Sequence, residues 1–356
     1  MRTHEPDPES RERLAEAYET YTALAEALEP VWPRLGSNTQ AVILCAGGTP
    51  AMQRTLCFEH LNPGGVNRAY EAQVTAAGKP VNVAQVITVL EGHALLATFL
   101  GGASGRFVAQ ELDAEGVPHE VVWTKDDAPT RVCTTLLPDY GPVTELVEEA
   151  HPVSAKDVAA LEALVLRRLR AAQALCLVGS LPPGVPDDFY ARLVQAARGA
   201  NVPVLVDAKG APLRTTLSEH PFLVKPNLEE AAATLDFSSE DDNGPDARAA
   251  VAALTDAGAQ WALVSTETTG SLLGDGFGNL GSIEPPRVEA VNPIGSGDWM
   301  AAGLLLAALR RGASVPDAAA YGTACAAANA LTLTSGVVHP VDVAVLLKRV
   351  HLSKLS

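Results

Sequence analysis

Between Gln40 and Glu289, short apolar runs alternate with stretches in which apolar residues recur at helical spacing. AVILCA (41–46), ALLATFLG (94–101), ALCLVGS (174–180), VPVLVDA (202–208), PFLVKPN (221–227) and ALVSTE (262–267) read as buried strands. Helices are expected between them at 80–91, 104–116, 154–172, 187–200, 228–235 and 247–258. Strands that are apolar on both faces and alternate with helices imply an α/β fold with a mostly parallel central sheet flanked by helices. After Glu289 the pattern becomes helical, at 298–311, 316–332 and 341–350.

Three segments depart from this rhythm. Residues 51–76 and 129–147 alternate polar and apolar positions and are richer in Thr, Val, Arg and Cys, as in RVCTTLLPD. They predict the strands of a small β-sheet lid beside the main sheet. Residues 10–30 carry a helical stripe of Leu14, Tyr18, Tyr21, Leu24 or Ala25, and Leu28, ended by Pro30, Pro33 and Gly36. The chain therefore divides into an N-terminal helical extension, 1–39, and an α/β domain, 40–350, with DDNGPD (241–246) as an acidic turn.

Composition narrows the function classes. With 47% hydrophobic and 19% charged residues, the chain can bury a large core and is not a disordered segment. Its formal charge of -16 is spread along the sequence, which argues against a nucleic-acid partner. Any local cluster of cations becomes informative, because an anionic ligand must overcome that field. Cys45, Cys57, Cys133, Cys176 and Cys325 are widely spaced without metal-ligand pattern, and read as buried thiols. The N-terminus lacks an apolar signal core, and the apolar runs near 301–309 and 324–333 are too short to cross a bilayer. A soluble cytoplasmic protein is the expectation.

Chemistry concentrates in three places. In VNPIGSGDWMAAGLLLAAL (291–309), Gly295-Ser296-Gly297-Asp298 runs directly into a helix of small and apolar residues. Such a turn directs successive N–H groups and the positive end of a helix dipole at an anion. Asp298 is there either an N-cap or a base facing a substrate hydroxyl. In AAGKPVNVAQVI (76–87), a Gly78-Lys79 turn opens a helix carrying Asn82. A cation at a helix N-terminus is electrostatically misplaced unless an anion arrives; Arg54, Arg68 and Arg131 add charge nearby, and together they suggest a phosphate-bearing ligand. In LVKPNLEEA (223–231), Lys225-Pro226-Asn227 ends a strand and Glu230 follows on a helix. Asn227 is either a cap or, with Glu230, part of the water shell of Mg2+. A Walker loop and a GxGxxG turn are both missing.

These segments, with FLGG (99–102), GSLPPGVP (179–186) and VNR (66–68), resemble the PfkB/ribokinase carbohydrate kinase family over roughly residues 40–350. Within it they are similar to the 1-phosphofructokinase and tagatose-6-phosphate kinase branch. The resemblance implies a ribokinase-like fold and an ATP- and Mg2+-dependent kinase. Asp298 would be the base and the amides of Gly295, Ser296 and Gly297 the anion hole. Gly78, Lys79, Asn82 and Arg131 would hold the sugar phosphate. Lys225, Asn227, Ser265, Gly270, Ala328 and Asn329 would line the nucleotide site, with Glu230 ordering Mg2+ through water.

Four positions depart from the family pattern. Gln53, followed by Arg54, replaces an Asp that contacts sugar hydroxyls, and both residues are taken as acceptor contacts. Pro80 replaces a loop Gly, Glu267 a Gly of the nucleotide loop, and Trp299 a small residue after the base. The implied acceptor is a ketohexose monophosphate, fructose 1-phosphate first and tagatose 6-phosphate second. The rival from another class is a catalytically weak sugar-phosphate- or nucleotide-binding regulator. A homodimer through the lid is the implied assembly.

Overall fold

A five-residue strand that is apolar on both faces needs a hydrophobic layer on each side, and β1 (Val42–Ala46) has both. Ile43 and Cys45 enter one core, Leu44 and Ala46 the other. The computed structural model describes residues 42–125, 128–235, 246–266, 270–310, 312–333 and 338–353. The predicted N-terminal helix, Glu267 and most of the acidic turn at 241–246 lie outside them.

The large sheet contains β1, β4 (His93–Leu100), β5 (His119–Trp123), β8 (Ala172–Val178), β9 (Val204–Asp207), β10 (Leu223–Val224), β11 (Trp261–Thr266), β12 (Gly270–Asp275), β13 (Leu280–Glu284) and β14 (His351–Leu352). Its spatial order is β14-β13-β12-β11-β10-β9-β8-β1-β4-β5. Neighbours from β5 to β11 are parallel. The remaining three strands extend the sheet in antiparallel sense. Six of these strands match the apolar runs. The others escape sequence reading because β5 is a partly exposed edge, β12 and β13 form a glycine-rich hairpin, and β14 is two residues long.

One face is covered by α1 (Lys79–Val89), α2 (Gly102–Ala114), α8 (Ser296–Arg310), α9 (Val315–Ala330) and α10 (Pro340–Leu347). The other is covered by α3 (Ala155–Leu169), α4 (Phe189–Gly199), α5 (Gly210–Leu217), α6 (Leu228–Leu235) and α7 (Ala247–Asp256). Helices α8 and α9 pack so closely that a Cβ on Gly322 would lie 2.5 Å from the Met300 carbonyl oxygen. The run of Ala and Gly in α9 permits this approach. It brings Asn329 under the turn that starts α8.

The predicted lid forms a second sheet of β2 (Ala51–His60), β3 (Glu71–Ala77), β6 (Arg131–Tyr140) and β7 (Thr144–Val147), ordered β3-β2-β6-β7. All five cysteines are buried, and none is in a disulfide among the described residues. Among the described residues no helix is long and apolar enough to cross a membrane.

Candidate active site

The parallel strands end on one edge of the sheet, where α/β folds bind ligands. β9 ends in Asp207, and β10 is followed at once by Lys225. Asp207 is buried at 1% exposure between two ammonium groups: Lys79 Nζ lies 2.7 Å from Oδ1 and Lys225 Nζ 2.9 Å from Oδ2. Burial alone would raise the Asp207 carboxyl, but Lys225 and Lys79 pull it below its ordinary value. Lys79 also lies 3.8 Å from Glu230. Burial opposes its charge, while Asp207, Asp298 and Glu230 hold it protonated well above the usual lysine range.

Asp298 stands in the first turn of α8, 5% exposed, and its carboxyl is pushed up to about 6, chiefly by burial, with Lys79 opposing. Asn82 Nδ2 donates to Asp298 Oδ2 at 2.6 Å. The turn before it is made by Gly295, whose φ of 82° is a left-handed conformation natural to glycine. Its carbonyl accepts from the N–H groups of Asp298 and Trp299. Ser296 N–H donates to the Pro293 carbonyl, whereas the N–H groups of Gly295 and Gly297 donate to no protein atom among the described residues. Asp298 therefore faces the cavity beside two unpaired donors at a helix N-terminus. The cap reading accounts for none of this, since no backbone N–H is bonded to its side chain among the described residues.

Above this floor, the inner face of the lid closes a cavity of about 280 Å³. Alternate residues line it: Thr75 on β3, Gln53 and Thr55 on β2, Arg131, Cys133 and Thr135 on β6, Glu145 and Val147 on β7. Lys79, Asn82 and Asp298 form the opposite wall. Gly78, the N-cap of α1, has φ 96°, and a Cβ there would meet the Thr49 carbonyl at 2.6 Å. Glycine is thus required where β3 turns into α1, and Pro80 is accommodated in the helix's first turn.

The geometry sorts the sequence-based assignments. Gln53 and Arg131 do face the cavity; Arg131 also donates to the carbonyls of Thr49 and Glu148, leaving Nε without a partner. Arg54 does not, because a strand turns successive side chains to opposite faces, and it is exposed on the lid's outer side. Asn82 Nδ2 holds the carboxylate of Asp298 while its Oδ1 has no partner, and Lys79 is ion-paired with Asp207; both side chains line the cavity. Asn227 Oδ1 accepts from Glu230 N–H at 2.7 Å while Glu230 Oε2 accepts from Asn227 N–H at 3.1 Å, a reciprocal cap of α6. Ser265 lies beside Asn227 through an isolated parallel bridge. Gly270 is explained by packing, since a Cβ would meet the Ile283 carbonyl at 2.2 Å. Ala328 is in the apolar core, and Asn329 Nδ2 donates to the Ile294 carbonyl and Ser296 Oγ, supporting the turn from beneath. Trp299 is fully buried in the core and leaves the cavity open. Asp207 was missed by sequence reading, although a carboxylate ending the apolar run VPVLVDA was the signal.

The fit to nucleotide and Mg2+ rests on unsatisfied groups. Among the described residues, Asn82 Oδ1 and Asn329 Oδ1 are buried without a partner. No cluster of three or more His, Cys, Asp or Glu side chains forms a metal cage among the described residues. A buried carboxylate, unpaired amides at a helix N-terminus and ion-paired lysines, all under a polar lid, suit phosphoryl transfer to a hydroxyl.

The comparisons agree. Residues 43–340 match the pfkB family of carbohydrate kinases, and the chain belongs to that family. Phosphofructokinase-2 from Escherichia coli, solved with potassium, is 26% identical with a TM-score of 0.76, covering 87% of this chain and 99% of that one. A possible 1-phosphofructokinase from Thermotoga maritima (21% identity, TM-score 0.80, coverage 88% and 100%) shares the fold. So does Arabidopsis thaliana ribokinase, solved with ribose and ATP (21%, 0.68, coverage 87% and 99%). The protein is a phosphotransferase acting on a sugar hydroxyl.

Proposed function

We propose that the chain transfers the γ-phosphoryl group of ATP, with Mg2+, to a hydroxyl of a ketohexose monophosphate, with fructose 1-phosphate as first acceptor. The observation that carries this reading is Arg131 on the lid wall of the cavity whose floor holds Asp298. In an acidic protein, a guanidinium directed into the acceptor space has a natural partner in a sugar phosphate. Support also comes from phosphofructokinase-2, solved with fructose-6-phosphate, and from ribokinase, solved with ATP.

In this reading Asp298 takes the proton of the attacking hydroxyl, and Asn82 fixes its orientation. The N–H groups of Gly295 and Gly297 meet the transferring phosphoryl group. Lys225 lies beneath that turn, its Nζ 3.5 Å from where a Cβ of Gly297 would stand, and adds charge on the nucleotide side. Glu230, beside Lys79, orders the waters of Mg2+. The outer lid face exposes Val74, Tyr140 and Leu146, which supports a homodimer through the lid.

The test is a panel of fructose 1-phosphate, tagatose 6-phosphate, fructose 6-phosphate and free fructose, each with ATP and Mg2+, read by ADP release. Phosphorylated ketohexoses should be preferred. Equal turnover of free fructose would overturn the acceptor assignment.

A further inference from the structure

Glu145 is, with Asp298, one of two carboxylates that line the acceptor cavity, and the proposed reaction leaves it unused. Its carboxylate makes no hydrogen bond or ion pair with the described residues. Its position is fixed by register: β6 and β7 are antiparallel, with Glu145 opposite Thr135, and β2 and β6 are parallel, with Thr55 beside Thr135 and Gln53 beside Cys133. Directly opposed residues hold their Cβ atoms about 5 Å apart. Gln53 Nε2 donates to Thr135 Oγ1 at 2.8 Å. One of the two lone pairs of the Thr135 hydroxyl is thereby used, and its O–H remains a donor that can turn to a neighbouring acceptor or a bound ligand.

The lid wall therefore has two unlike ends. Arg131, at the start of β6, is a cation; Thr135 lies four residues further, about 13 Å along the strand, and there the wall is a neutral amide, a hydroxyl and a carboxylate. An ionised carboxylate only accepts, so it suits hydroxyl donors and repels phosphate. We propose that Glu145, held opposite Thr135 by strand register, is a specificity determinant that accepts hydrogen bonds from hydroxyls at the phosphate-free end of the acceptor. It fixes which end of the sugar lies toward Arg131. This inference rests on the ketohexose phosphate reading above.

The test compares wild type with Glu145→Gln and Glu145→Ala, using the best phosphorylated ketohexose of the panel and its singly deoxygenated analogues. Loss of a charge-assisted hydrogen bond should raise acceptor KM about ten- to a hundredfold, with ATP KM unchanged. In wild type, at least one deoxy analogue should be penalised; in Glu145→Ala that penalty should disappear. A lid merely loosened by substitution would change kcat for every acceptor and leave the discrimination between hydroxyls intact, which would overturn the proposal. So would wild-type acceptor KM in both variants. A wild type inactive on every phosphorylated hexose would instead overturn the acceptor reading itself.

Discussion

The two walls of the cavity are built on opposite principles. On the floor, Asp207, Lys225, Lys79 and Asp298 are tied together at the ends of buried strands and helices. On the lid, Arg131, Gln53, Thr135 and Glu145 project from a four-stranded sheet, most of them partly open to solvent. A buried charge is tolerable only when paired, so the floor has little freedom to vary. A polar side chain on a half-exposed strand carries no such constraint. The chemistry common to the family can thus be held on the floor, while selection among sugars is carried by the lid.

The largest test of this contrast is Asp298→Asn. Asn keeps the size of the side chain but cannot accept the proton, and kcat should fall about 10²–10⁴-fold, with KM for ATP little changed. The wild type should lose activity as pH falls through about 6, where burial places the Asp298 carboxyl, because only its ionised form is a base. The variant's residual rate should lack that limb. Near-wild-type turnover would remove the floor's claim to the chemistry.

Asp207→Asn addresses the floor's stability. It leaves Lys79 and Lys225 facing each other without their shared carboxylate. Removing one partner of a buried pair costs about 3–5 kcal/mol, measurable by urea unfolding, and turnover should fall with it. A variant of unchanged stability would show that the lysines find other partners.

On the lid, effects should fall on acceptor binding alone. Arg131→Ala should raise KM for the sugar phosphate about ten- to a hundredfold, with ATP KM unchanged. If ATP KM rose instead, the division of labour between the walls would be reversed. The smallest effect is expected from Arg54→Ala, on the outer face of the same sheet, which should leave acceptor KM within about twofold of wild type, as surface changes usually do. A rise matching that of Arg131→Ala would mean that the outer face also meets the substrate.

Much of this was legible in the chain. Apolar runs disclosed the strands because a strand covered on both faces must be apolar throughout, and the lid appeared as alternation because one of its faces is wet. The Gly295–Asp298 turn was readable because the left-handed φ demands glycine and the helix behind it demands small residues where it meets α9. Side-chain partners were not. Asn82 and Asp298 are 216 positions apart, Lys79 and Asp207 are 128, and Gln53 and Thr135 are 82. Nothing local in Lys79 or Asn82 says that one is claimed by Asp207 and the other by Asp298. Sequence by itself determined six strands of the sheet, most of its helices and the glycine turn before Asp298, since each is set by short-range periodicity and backbone sterics. Tertiary structure alone decided which groups each cation meets, which face Arg54 occupies and where Trp299 is buried, because those depend on register between strands and on what distant segments bring within hydrogen-bonding reach.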